Sequence, residues 1–236
     1  MGERAYVRVR VAGPYACFSR PEMKVERVSY EAMTPSAARG ILDAILWRPE
    51  MRWVVHRIEV LRPIRFTAVR RNEIQSKIAP GNVKKWMNNP ASYQPQPAGA
   101  GSDDATPRNT LALRDVAYII EAEPHVYEPT AENHATKYMA MFNRRVEQGQ
   151  CFHHPYLGCR EFACDFGPPN PDETPLDDTR DLGLMLYDIT FSSGNTDNRA
   201  VFFLARLDQG VLDTSPDRVI HDADQRREVL LCSCKH

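Results

Sequence analysis

No stretch of this 236-residue sequence comes near the roughly 18 consecutive apolar residues that a membrane-spanning helix needs. An apolar secretory core is also missing near the first residue, where Glu3 and Arg4 lead into an alternating run from Tyr6 to Val11. A cytoplasmic chain with no membrane partner is therefore expected. Cysteine is scarce. The six residues Cys17, Cys151, Cys159, Cys164, Cys232 and Cys234 are too few and too scattered to scaffold a chain of this length, and reduced thiols fit the same compartment. Cys151, His153, His154, Cys159 and Cys164 cluster, but none of these cysteines stands at the C-x2-C spacing with which two thiolates grip zinc. No metal and no cofactor are expected. Internal repeats are absent too.

What is present begins with enough apolar residue, 42% of the chain, to build a core. The net charge of −1 hides a polarity along the sequence. Residues 1–97 carry 17 Lys and Arg against 8 Asp and Glu, a balance of +9, which leaves −10 for residues 98–236. Such segregation suits a basic face for a phosphate backbone and an acidic remainder turned to water or to a basic partner.

Tyr6 to Val11 alternates apolar and charged residues with period two and predicts a strand that Gly13-Pro14 ends. Thr34-Pro35 reads as an N-cap with proline in the first turn. Ala38, Ile41, Leu42, Ile45 and Leu46 follow at helical spacing, and Pro49 stops the helix. Further strands are expected at Trp53 to Leu61, Ile64 to Ile74 and Val116 to Ala122, and a second helix from about Glu132 to Gln148, closed by Gly149. Its inner stripe would be Ala135, Tyr138, Met139, Phe142 and Val146. Residues 80–107, rich in Pro, Gly, Asn, Ser and Ala, read as a mobile insertion. Arg160 to Phe166, Gly183 to Phe191 and Ala200 to Leu207 read as strands of a small antiparallel sheet, followed by a polar tail after Asp213. The fold class expected is α+β: a ferredoxin-like, RNA-recognition-type domain over residues 1–149 and a small antiparallel β-sheet domain over 150–236.

Five blocks, in order along the chain, carry a resemblance: Gly13-Pro14-Tyr15-Ala16-Cys17-Phe18-Ser19-Arg20-Pro21-Glu22-Met23-Lys24-Val25-Glu26-Arg27-Val28-Ser29-Tyr30, then Pro35-Ser36-Ala37-Ala38-Arg39-Gly40-Ile41-Leu42, Arg70-Arg71-Asn72-Glu73, Met141-Phe142-Asn143-Arg144-Arg145 and Pro155-Tyr156-Leu157-Gly158-Cys159-Arg160-Glu161-Phe162. Together they resemble the fifth family of CRISPR-associated proteins (Cas5), subtype I-C, also called the Dvulg subtype. The resemblance implies a protein that binds the hairpin of the CRISPR repeat, cuts the precursor transcript at its base without metal, and stays on the 5′ handle of the guide beside the other subunits of the type I-C interference complex. A non-catalytic RNA-binding subunit of that complex is the alternative. By motif, the resemblance places catalysis at Leu46, Lys137 and Tyr138.

Leucine has no proton to transfer, and a phenol with a pKa of about 10 donates a proton at neutral pH far better than it accepts one. His134, His153 and His154 are substitutes that titrate near neutrality. For RNA contact the candidates are Arg20, Lys24 and Arg27 in one loop, Arg70, Arg71 and Lys77 along one ribbon, and Arg144 and Arg145 on the second helix. Tyr15, Phe18 and Phe66 are candidates for stacking on unpaired bases.

Overall fold

In the computed structural model, which describes residues 5–23, 25–95, 104–190 and 198–231, valines 7, 9 and 11 are buried on one face of strand β1 (Val7–Ala16). After the two-residue β2 (Arg27–Val28) comes helix α1 (Pro35–Ile45). Thr34 caps it by accepting the Ala37 N–H at 3.3 Å. Ala38, Ile41, Leu42, Ile45 and Leu46 are all buried, as their spacing requires. Strands β3 (Met51–Val60) and β4 (Phe66–Ile74), helix α2 (Pro80–Asn88) and strand β5 (Ala105–Val126) follow, then helix α3 (Ala135–Glu147). In α3 the stripe Tyr138, Phe142 and Val146 is buried, Met139 is half-buried, and Ala135 is exposed. Gly149, at φ +63, closes this helix: its N–H bonds the Val146 carbonyl at 3.3 Å, and the Gln150 N–H bonds that of Arg145 at 2.8 Å. The chain continues as β6 (Asp165–Gly167), β7 (Arg180–Thr190), β8 (Arg199–Asp208), β9 (Val211–Asp213), α4 (Pro216–Val219) and α5 (Ala223–Leu231).

The strands form one sheet in the order β6-β1-β5-β3-β9-β8-β7, with β2 and β4 also paired to β5. Strand β5 is its spine. Its second half runs antiparallel between β1 (Val7 opposite Ala122) and β3 (Met51 opposite Val126), and its first half pairs with β4 (Ile74 opposite Ala105). Helices α1 and α3 pack against these strands, and the Trp53 and Phe142 rings meet in the core at 4.8 Å. Among the described residues no helix is long and apolar enough to cross a membrane.

Four expectations need correction. Gly13-Pro14 does not end β1, whose pairing runs on to Ala16: Gly13 stands opposite Val116 and Tyr15 opposite Arg114, so the register is unchanged across the proline, and Asp115 between those partners sits at φ 58. The strand expected at Val116 begins at Ala105, and residues 80–107 contain α2. The first part of β5 buries no side chain before Thr110 and α2 buries none, so hydrophobic periodicity could not reveal them, whereas β4 lies within the strand expected at Ile64 to Ile74. Arg160 to Phe166 is mainly turn, with an isolated bridge from Ala163 to Tyr156 and strand pairing only from Asp165 onward; just before it Gly158, at φ +83, lies so close to the Cys17 carbonyl that a Cβ there would stand 2.1 Å from its oxygen. The tail after Asp213 carries α4 and α5, anchored by buried Ile220 and Val229.

Asp188 of β7 joins three elements. Its carboxylate accepts from Arg39 of α1 at 3.1 Å through each oxygen and from Arg52 of β3 at 2.6 Å. Asp188 and Arg52 are both 6% exposed. Removing one partner of such a pair leaves buried charge uncompensated, so Asp188→Ala is expected to cost about 3–5 kcal/mol in urea unfolding at pH 7. A loss below about 1 kcal/mol would show that the pair is not structural.

Candidate nucleic-acid interface

At the start of α3, His134 serves as N-cap, its Nδ1 accepting the Lys137 N–H at 3.3 Å. The Lys137 side chain is exposed. Its Nζ donates to the Glu132 carbonyl at 2.9 Å and sits 5.6 Å from the centroid of the Tyr138 ring. That ring is buried, and its hydroxyl donates to Asn133 Oδ1. Burial, and then the Glu50 carboxylate, raise the phenol above its ordinary pKa against the opposing pull of Arg48. Tyr138 therefore keeps its proton at neutral pH and can only give one.

The structure thus brings Lys137 and Tyr138 together beside the α1–β3 turn, but Leu46 in that turn is fully buried, its carbonyl accepting the Trp53 Nε1–H at 2.8 Å. Leu46 is a core residue. His153 and His154 are exposed on a loop tied to the end of α1, where the Phe152 and His153 N–H groups both bond the Ala44 carbonyl. Among the described residues no three His, Cys, Asp or Glu side chains converge as metal ligands.

The basic candidates divide into held and available side chains. Arg27 donates to Glu161 at 3.1 Å and lies 3.7 Å from Cys159 Sγ, and Arg71 donates to the same Glu161 carboxylate. Arg145 donates to the Ile45 carbonyl. Arg20 lies over the Tyr30 ring at 4.7 Å. Arg70, on the opposite face of β4 from Arg71, is exposed, as are Lys77 and Arg144, and none of the three makes an ion pair with a described residue. Lys24 lies outside the described residues. Of the stacking candidates, Tyr15 and Phe66 are exposed, whereas Phe18 is buried against Tyr118.

Sequence reasoning missed Glu161. Desolvation works against its ionisation, but its own backbone N–H and the Arg71 and Arg27 guanidiniums outweigh that and lower its pKa. The adjoining Cys159 thiol is lowered to about 6, first by the bond from Cys17 and, against its burial, by Arg27. The charge polarity along the chain also has an internal cause. Arg8, Arg10, Arg27, Arg39, Arg52 and Arg71 all pair with carboxylates from beyond residue 98. The only sequence signal for Glu161 was its place in the block Gly158-Cys159-Arg160-Glu161.

These features define a mixed α/β protein built on one antiparallel sheet, with a projecting polar ribbon and a lysine–tyrosine pair at a helix start. A family model described as CRISPR-associated protein (Cas_Cas5), of the Cas5d type, matches residues 6–214. The chain is 45% identical over 218 residues, 89% of its length and 95% of the relative's, to the CRISPR pre-crRNA endoribonuclease Cas5d of Mannheimia succiniciproducens. It is 44% identical over 187 residues, 79% of its length and 74% of the relative's, to the enzyme of the same name from Thermus thermophilus. A solved structure of a CRISPR-associated protein shares the fold, with a TM-score of 0.60 at 20% identity over 89% of this chain and 91% of that one. The chain belongs to the Cas5d family of CRISPR-associated proteins, as the five sequence blocks implied.

Because the Glu161 pKa is lowered on folding, its contribution is complete above the ordinary value of 4.5 and is lost as pH falls through the lowered one. Glu161→Gln should cost about 1 kcal/mol at pH 7, a modest figure because solvent screens a partly exposed pair. In urea titrations the gap to the parent protein should narrow below pH 4.5. A gap that does not change with pH would assign the loss to packing.

Proposed function

We propose that the chain binds the hairpin of the CRISPR repeat, cuts the precursor transcript at its base, and remains on the 5′ handle of the guide within a type I-C interference complex. Its curated relatives are named for pre-crRNA cleavage, which supports this reading. The observation that carries it is the juxtaposition of an exposed ammonium, Lys137, with a phenol held protonated, Tyr138. In the reaction the 2′-oxygen attacks its neighbouring phosphorus and the bond to the 5′-oxygen breaks, giving a 2′,3′-cyclic phosphate and a 5′-OH. Tyr138 donates the proton that the leaving oxygen needs, and Lys137 stabilises the charge gained by the phosphorane. Leu46 offers no base, so the 2′-OH proton passes to water. Acid and cation are both side chains, and the route needs no metal.

The succession β1-α1-β3-β5-α3-β6, with strand order β6-β1-β5-β3, supports reading residues 1–149 as a ferredoxin-like, RNA-recognition-type domain to which β6 lends the fourth strand. Residues 150–236 otherwise form the small antiparallel domain, joined to β3 through β9. Arg70, Lys77 and Arg144 are the available phosphate contacts, while Arg20, Arg27, Arg71 and Arg145 complete the basic set, to which Lys24, outside the described residues, belongs by sequence. One observation favours the second reading, a non-catalytic RNA-binding subunit: the buried Leu46 withholds a proton acceptor.

A time course on the chain's own repeat RNA in EDTA separates the two. Cyclic-phosphate product is expected, and Lys137→Ala should slow single-turnover cleavage about tenfold to a thousandfold, or 1.4–4 kcal/mol, with little change in affinity. Tight binding without product would favour the scaffold. Arg70→Ala should lower the salt slope of log K by about one, and Arg71→Ala by less, since Glu161 already holds that guanidinium. An unchanged slope for Arg70→Ala would place the hairpin elsewhere.

A further inference from the structure

Two free thiols that the mechanism above does not use meet where the residue after β1, Cys17, passes the turn that carries Glu161. The Cys17 N–H donates to the Leu157 carbonyl at 3.0 Å, and Gly158 lies directly against the Cys17 carbonyl, so the two segments touch backbone to backbone. Nearness of this kind is the first requirement of a disulfide. Cys159 Sγ stands 3.6 Å from the same Cys17 carbonyl oxygen. As a thiol Cys159 donates to that oxygen, and as a thiolate it accepts from the Cys17 thiol. The turn itself is closed by the Phe162 N–H on the Cys159 carbonyl at 2.9 Å.

The two sulfurs are not equivalent. Arg27 Nη1 lies 3.7 Å from Cys159 Sγ, and a guanidinium there favours a thiolate, which is the nucleophilic form of cysteine. Cys159 is 8% exposed and Cys17 is sealed from water, so a small oxidant meets Cys159 first and a second thiol stands directly behind it. The bond between the thiols lowers the Cys159 pKa and is the largest cause raising that of Cys17. Oxidation of Cys159 removes that cause, and Ser19 Oγ, 3.5 Å from Cys17 Sγ, and Arg27 then both favour the Cys17 thiolate. Cys164 has no such setting: burial, before anything else, pushes its thiol up to about 12.

We propose that Cys159 and Cys17 form a peroxide-reactive pair, in which Cys159 attacks hydrogen peroxide, Cys17 resolves the product, and a reversible disulfide then clasps the end of β1 to the turn that carries Glu161. In the first step the Cys159 sulfur bonds one peroxide oxygen, the O–O bond breaks, and the departing hydroxide takes up the proton that the thiol released, leaving a sulfenic acid and water. In the second the Cys17 sulfur attacks the Cys159 sulfur, the S–O bond breaks, and hydroxide leaves with the Cys17 proton as a second water. Two thiols are oxidised and one peroxide is reduced. The disulfide carries no charge, so Arg27 keeps Glu161, at 3.1 Å, and loses the sulfur as an anionic neighbour.

The test treats the reduced full chain with hydrogen peroxide at pH 7, caps the remaining thiols with N-ethylmaleimide and maps the digest by mass spectrometry without reductant. Fragmentation distinguishes Cys159 from Cys151, which share the tryptic peptide 146–160. Cys159 should be consumed about tenfold faster than Cys151 or Cys164, its first stable product should be the bridge to Cys17, and dithiothreitol should restore both thiols. In Cys17→Ala, checked for folding by thermal melting, Cys159 should stop at a sulfenic acid that dimedone traps. In Cys159→Ala, Cys17 should stay reduced. The pair is overturned if the first oxidation of the parent chain falls on another cysteine, if Cys159 oxidises further while Cys17 stays free, or if Cys17 is oxidised as fast in Cys159→Ala as in the parent. Should either variant fail to fold, the mapping of the parent chain decides alone.

Discussion

Strand β5 is the constraint from which the rest of the molecule follows. Over 22 residues it gives its hydrogen-bonding edges to four other strands, the buried half to β1 and β3 and the projecting half to β2 and β4. The polar ribbon that carries Arg70 is therefore an extension of the same strand that holds Tyr118, Ile120 and Ala122 in the core. At its far end β5 runs into Tyr127, whose N–H ties the α1–β3 turn, and α3 begins eight residues later with Lys137 and Tyr138 in its first turn. The candidate site inherits its position from a rigid element, as a site requiring accurate geometry should.

Around that spine, carboxylates from the second half of the chain fix arginines from the first. Asp188, Glu161 and Glu173 hold Arg39, Arg52, Arg27, Arg71 and Arg10 between them. Such pairs add little net stability when exposed, and when buried they roughly offset their own desolvation, so their use lies in setting register and orientation. They also decide which cations remain for phosphate. A guanidinium already bonded to Glu161 must give up that partner to bind RNA, whereas Arg70, Lys77 and Arg144 have no such partner among the described residues to lose. The acidic half of the sequence thereby sharpens a diffuse basic character into a few available positions.

Much of this was legible from residues alone, wherever one face of an element is buried. The valines of β1, the stripe of α1 and the glycine closing α3 each follow from period, cap and chirality. The projecting first part of β5, Ala105 to Asn109, was not, because none of its side chains is buried and its Thr, Pro, Arg and Asn residues look like a loop, whereas its partner β4 lies within the strand expected at Ile64 to Ile74. Nor was the turn at Gly158, which depends on the approach of Cys17 from 141 residues away. At the candidate site Lys137 and Tyr138 are neighbours in the sequence itself, while that Leu46 is core and His134 a helix cap emerges only from the fold. Which arginines are held by Glu161 is a tertiary fact that no local pattern carries.

A structure of the chain bound to its repeat RNA, with a 2′-deoxy nucleotide at the cut to block attack, tests the placement of catalysis most directly. With catalysis at the start of α3, the scissile phosphate lies within salt-bridge distance of Lys137 Nζ, about 4 Å or less, and its 5′-oxygen faces the Tyr138 hydroxyl. A scissile phosphate seated instead beside His153 or His154 would contradict it.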